Sequence, residues 1–333
     1  MEVCGTHTMA IAKAGIKKLL PPQVRLVSGP GCPVCVTPPE VIDAALALSE
    51  KPDVLIATYG DMVRVPGSRR GDSLAARSAL GAQVRIVYSA MDAVELAKQN
   101  PDREVVFLGV GFETSAPGTA TSIGAAKEAG LRNYSVFSML KMLEPSVRAL
   151  AGDPEFNVQG FLCPGHVAVI LGEDGLRFIA EDLHLPAVIA GFDTADIVHA
   201  IRMLMNQISA GEARLENEYA DVVKPEGNLL ARQVMEQYLE PRTDRWRGLG
   251  TVPGSGYGIR EAYAAFDAEK KFGIVIKDIG VKTACRCGDV VKGKVSPEQC
   301  PLFGTACTPE DPEGPCMVSA EGACAAAYRY RGW

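Results

Sequence analysis

The chain has 333 residues, 47% of them hydrophobic, 22% charged and 6% aromatic, with a formal net charge of −6. That composition excludes a disordered chain, and the length suggests two domains with a small third. No basic run or tail offers a surface for nucleic acid or an anionic membrane, and no apolar run reaches the roughly 18 residues of a membrane span, so the expected partners are proteins or small ligands and the expected compartment is the cytosol.

The first element, "MEVCGTH" (1–7), sets a thiol and an imidazole three residues apart on a glycine-containing turn. Cys4 and His7 in that pattern suit a soft metal or a thiolate assisted by a base; His7 capping the helix of "TMAIAKAGIKKLL" explains the pattern as well. A strand is predicted at 24–28, followed by "GPGCPVCVTPPE" (29–40), in which prolines and glycines hold Cys32 and Cys35 close enough to form and break a disulfide. Thr37, Pro38 and Glu40 read as a capping-box start, so both thiols lie ahead of a helix N-terminus, whose partial positive charge favours a thiolate. The expectation is a dithiol switch; the plainer reading is a buried turn with inert thiols.

Beyond it, β-branched runs at 53–59, 84–89, 105–111, 134–139, 160–164 and 187–192 alternate with amphipathic stretches at 40–49, 91–99, 119–129 and 193–205. This is the pattern of parallel strands with crossover helices, an α/β fold of two doubly wound, Rossmann-like domains. A thin echo between "GPGCPVC…DVLIATYGD" and "LCPGHVA…AVIAGFDTAD" suggests an approximate internal repeat. The reactive residues all follow predicted strands, where open α/β sheets gather ligands, so the loops are expected to meet at one cleft. In "GVGFETSAPGTA" (109–120) Thr114 and Ser115 read as helix caps and Glu113 as an acid or base, while no Walker lysine supports a nucleotide site. His166 in "CPGHVA" suits a proton donor or ligand, or a satisfied loop histidine. His184 and His199, which carry no motif, read as structural or surface residues.

From 206 to 240 the chain turns charged and helical, "RGLGTVPGSGYG" (247–258) reads as a connector, and "FGIVIK" (272–277) as a strand. Six of the ten cysteines then fall within 285–324, in a segment with too few large apolar residues to fold unaided. In a reducing compartment such a block points to metal or redox chemistry. Iron–sulfur is favoured over zinc because paired C-x-x-C knuckles are missing, and spacing alone does not choose four ligands among six thiols. The expected domains are 1–112, 113–240 and a cysteine-rich 241–333.

Together "MEVCGTH", "GPGCPVCVTP", "GFETSAPGTA", "PGHVA" and the C-terminal cysteine block resemble the HypD family of hydrogenase maturation proteins, over essentially the whole chain. Members carry a further segment before the first motif, which here opens at Met1. The resemblance implies a scaffold and redox protein on which the iron centre of nickel–iron hydrogenases, carrying cyanide and carbon monoxide, is assembled. It implies a HypC-type small chaperone that shares the iron and a HypE-type donor that delivers cyanide from a thiocyanate. The family spacing C-x14-C-x6-C-x16-C falls on Cys285, Cys300, Cys307 and Cys324 as ligands of a [4Fe-4S] cluster, leaving Cys287 and Cys316 as a spare redox pair. On this reading Cys4 is the iron ligand with His7 beside it, Cys32 and Cys35 deliver two electrons, and Glu113 and His166 manage protons. Two rivals are a thiol–disulfide oxidoreductase with a structural metal in the tail, and a protein-interaction scaffold whose cysteines only hold iron.

Overall fold

The computed structural model describes residues 1–276, 280 and 283–330. Runs that are apolar at nearly every position become parallel strands covered on both faces. β1 (Val54–Thr58), β2 (Gln83–Ile86), β3 (Glu104–Gly111) and β4 (Tyr134–Leu140) form one all-parallel sheet in the order β2-β1-β3-β4. Alternate residues sort to opposite faces, as the pleat requires. Ile56, Val106, Leu108 and Phe137 pack with the helix Pro39–Ser49, while Leu55, Phe107 and Val136 pack with the helices Ala90–Gln99 and Ala116–Glu128. The second parallel sheet has three strands, β5 (Phe161–Pro164), β6 (Ala187–Ala190) and β7 (Leu215–Asn217), in that order. The sheets thus differ in strand number and order.

The N-terminal residues extend the second sheet. Glu2 bridges Leu162 on one side and Ser28 on the other, and the Leu162 amide donates to the Met1 carbonyl at 2.8 Å. Ile11 of the helix Gly5–Lys13 packs with Leu162, Val188 and Ile197. The cysteine loops near 4 and 32 therefore belong to the second sheet, whereas β4, beyond the expected boundary at 112, is the edge of the first.

Several local expectations change. Among the described residues, the strand expected at 24–28 reduces to the single bridge at Ser28, because a turn closed by the Val24 amide on the Pro21 carbonyl occupies its start. Thr37 does not cap the following helix: its hydroxyl donates to the Pro33 carbonyl, closing the short helix Pro33–Val36, and Pro38 takes the N-cap position of Pro39–Ser49. The expected connector at 247–258 is half of an antiparallel hairpin, β8 (Leu239–Trp246) with β9 (Gly250–Ile259). Its glycines depress strand propensity yet are what the hairpin needs: Gly248 and Gly250 turn at φ 86° and 76°, and a Cβ on Gly256 would meet Asp244 Oδ2 at 2.5 Å. Of the strand expected at 272–277, Phe272 ends the helix Ala268–Phe272, Gly273 closes it at φ 62°, residues 274–276 are unpaired coil, and 277 lies outside the described residues. No helix among the described residues is long and apolar enough to cross a membrane.

Candidate active site

Two cysteine loops meet at the carboxyl edge of the second sheet. Cys4 is the N-cap of the helix Gly5–Lys13 and Cys32 that of Pro33–Val36. The Gly5 amide donates to the Gly31 carbonyl at 3.2 Å, and a Cβ on Gly31 would lie 2.2 Å from the Cys4 amide nitrogen, so only glycine allows the loops this approach. Cys32 and Cys35 are joined by a disulfide with their Cα atoms 5.3 Å apart, and the Cys35 amide donates to Cys32 Sγ at 3.2 Å. Glu2 lies beneath: its carboxylate accepts from the Cys4 amide at 3.0 Å and the Thr8 hydroxyl at 2.6 Å. Burial pushes the Cys4 thiol up to about 12, so at neutral pH it ionises only when a cation shares the site.

His7 does not cap the helix but sits within it, fully buried. Its Nε2–H donates to the Gly191 carbonyl at 2.8 Å, which leaves Nδ1 bare, buried and without a partner. Burial lowers its pKa to about 4, so the ring is neutral. The ring of Phe192 lies 4.8 Å from His7 and 3.9 Å from His166, joining the CGTH and PGHVA motifs through a residue that neither contains. His166 is exposed, and partial burial still lowers its pKa. His184 and His199 are exposed, and His199 Nδ1 lies 3.8 Å from Glu218, whose carboxylate also accepts from the Gly191 amide at 3.1 Å.

Glu113 lies elsewhere, just past the carboxyl end of the inner strand β3. Its Oε1 accepts from the Leu143 amide at 2.8 Å, its Oε2 is buried and unpaired, and burial raises its pKa to about 7. Among the described residues no hydrogen bond or ring contact ties it to the cysteines or histidines above. Ser115 is the N-cap of Ala116–Glu128 by position, without a side-chain bond. Cys163 is buried in β5, its Sγ 3.8 Å from the Phe161 carbonyl.

The six tail cysteines line one small cavity with Phe303, Gly314 and Met317. Cys285 neighbours Cys287, Cys287 neighbours Cys316 and Cys316 neighbours Cys324, and Cys287 and Cys316 are free thiols. Two glycines permit this crowding: a Cβ on Gly314 would come within 3.0 Å of Cys285 Sγ, and one on Gly322 within 2.1 Å of the Cys316 carbonyl oxygen. Among the described residues no group of three or more His, Cys, Asp and Glu side chains is already arranged to hold a metal ion. The donors are nonetheless all sulfur, with no carboxylate or imidazole in the lining, and that chemistry fits a thiolate-bound cluster rather than a hard cation.

The tail reaches the disulfide directly. Cys32, Cys35 and five of the six tail cysteines share one core against the first sheet, with Cys285 packed on it, and a second cavity is lined by Cys32, Cys35, Cys316 and Glu321. Cys32 Sγ lies 3.5 Å from Ser319 Oγ, whose hydroxyl donates to Asp61 Oδ2 at 2.9 Å, and Thr6 donates to Glu321 at 3.0 Å. Ser319, Asp61, Glu2 and Phe192 were not singled out from sequence. Phe192 and Asp61 follow strands within "AVIAGFDTAD" and "VLIATYGD", a positional signal; Glu2 and Ser319 have none.

The HypD family model, described as the hydrogenase formation hypA family, matches residues 1–331. The chain is 46% identical over 332 residues to the hydrogenase maturation factor HypD of Escherichia coli (strain K12), covering 99% of this chain and 88% of that one. It is 45% identical over 337 residues to HypD of Rhodobacter capsulatus (100% and 89% covered), and 44% identical over 337 residues to HypD2 of Bradyrhizobium diazoefficiens (99% and 88%).

Proposed function

The chain belongs to the HypD family and is a hydrogenase maturation factor, and from that membership we propose that it is the scaffold and redox protein on which an iron centre carrying cyanide and carbon monoxide is assembled. One observation carries this reading: the Cys32–Cys35 disulfide lies between the Cys4–His7 loop, joined to it through Gly5 and Gly31, and the tail thiols, with which it shares a cavity wall at Cys316.

Iron is the cargo. Cys4, buried and hard to ionise alone, holds it as thiolate, because low-spin iron with strong-field ligands prefers soft sulfur. The bare Nδ1 of neutral His7, one helical turn from Cys4, is an acceptor beside the iron, and exposed His166 exchanges protons with solvent. Glu113 joins this set through its protonation alone, being held near 7 by burial. Reduced Cys32 and Cys35 supply the two electrons that release cyanide. A thiocyanate and a dithiol become a thiol, hydrogen cyanide and a disulfide: the carbon–sulfur bond breaks as the sulfur–sulfur bond forms, and the two thiol protons end on the products. A [4Fe-4S] cluster held by Cys285, Cys300, Cys307 and Cys324 would supply electrons from the tail side, with Cys287 and Cys316 as the adjoining thiol pair. The partners are a HypC-type chaperone sharing the iron and a HypE-type thiocyanate carrier.

Cys32→Ala tests this. Co-expressed with the partners, the variant is expected to keep the iron–sulfur absorbance and lose cyanide loading of iron; cyanide reaching the iron at the wild-type level would remove the dithiol from the account.

A further inference from the structure

Each hydrogen-bonding position on Ser319 can be assigned. A hydroxyl has one hydrogen to donate and two lone pairs to accept with. The hydrogen goes to Asp61 Oδ2 at 2.9 Å, and one lone pair accepts from the Glu321 amide at 3.2 Å. The remaining acceptor faces Cys32 Sγ at 3.5 Å. While Cys32 is in the disulfide its sulfur has no hydrogen to give, so this position is met only when the bond opens and Cys32 becomes a thiol. The line then runs Cys32 S–H to Ser319 Oγ, and Ser319 O–H to Asp61. Ser319 is buried, whereas Asp61, at the start of the short helix Gly60–Val63 after β1, is partly exposed and reaches solvent. Its second bond, from the Ala320 amide at 2.9 Å to the same oxygen, fixes its orientation. Cys35, 1% exposed, makes no such contact among the described residues.

We propose that Ser319 and Asp61 form a proton relay for Cys32, taking its thiol proton as the Cys32–Cys35 bond forms and returning it as the bond opens. The relay rests on the reading that this disulfide cycles, and it makes Cys32 the attacking sulfur. With a small disulfide as oxidant, Cys32 passes its proton to Ser319 while the Ser319 proton moves to Asp61. The resulting thiolate attacks the oxidant to give a mixed disulfide and one small thiolate; Cys35 then attacks Cys32 Sγ, expelling the second small thiolate. The two protons lost by the protein end on the two small thiols, and two electrons pass to the oxidant.

The test follows Cys32–Cys35 formation in the anaerobically reduced full chain with hydroxyethyl disulfide, an uncharged oxidant, by acid quenching and peptide mass mapping across pH. Ser319→Ala is expected to be about 100-fold slower than wild type at about pH 6 and to converge with it at about pH 9, where hydroxide removes the proton directly. Asp61→Asn, similar in shape, should show the same change, and Ser319→Thr, which keeps the hydroxyl, should restore the wild-type profile. Parallel profiles for wild type, Ser319→Ala and Asp61→Asn would overturn the relay while leaving a cycling dithiol intact. A wild-type disulfide that dithiothreitol never opens would overturn both.

Discussion

Glu113 and His7 are both buried and both titrate away from their ordinary values, with opposite consequences for stability. Burial raises the Glu113 carboxyl from 4.5 to about 7. Its contribution is therefore fully present below about pH 4.5 and is lost as pH rises through about 7. Glu113→Gln removes that dependence, so its stability relative to wild type should rise by about 3 kcal/mol between those limits. Urea unfolding at each pH reads this directly, and an unchanged difference would show that Glu113 is not held protonated. His7 runs the other way: burial lowers it from 6.5 to about 4, so its contribution is full above about 6.5 and fades as pH falls toward about 4. Both residues were legible as candidates because each follows a motif glycine or strand end. Their roles were not, because a partner such as Leu143 or Gly191 lies 30 or 184 residues away.

The two cysteine loops are held together by backbone contact rather than by side chains. Gly31→Ala would drive a methyl group into the Cys4 peptide, and since backbone cannot swing aside, the loops must part. The expected loss is about 2 kcal/mol in stability, with faster alkylation of Cys4, read by thermal melting and peptide mapping; an unchanged melting point and an unreactive Cys4 would contradict the close approach. The strands were readable at this scale wherever burial is two-sided, as in β1 and β3, whose residues are apolar almost throughout. Elements whose residues answer to something other than propensity were not. The hairpin β8–β9 carries glycines because Asp244 fills the space above Gly256, and Thr37 serves the helix behind it rather than the one ahead. The apolar run after Phe272 packs Ile274 and Ile276 against the core as coil.

At the scale of the molecule, sulfur is the thread. Cysteine spacing alone marked the N-terminal loops and the tail as chemically special, and the structure packs Cys32, Cys35 and the tail thiols into one core on a face of the first sheet. Their adjacency was not legible, because it depends on contacts such as Cys32 to Ser319, 287 residues apart. The N-terminal loops also belong with β5 and β6 rather than with the strands that follow them in sequence, since Glu2 pairs with Leu162. This arrangement gives the proposed function its form, in which electrons would enter through the tail sulfurs, cross at Cys32 and Cys35, and serve an iron ion held at Cys4. An infrared spectrum of the anaerobically isolated full chain, co-expressed with the proposed small chaperone and cyanide donor, tests that proposal most directly. Stretches of cyanide and carbon monoxide bound to iron, absent from the same preparation of Cys4→Ala, are the predicted result. A wild-type protein without iron, or bands that persist unchanged in Cys4→Ala, would contradict it.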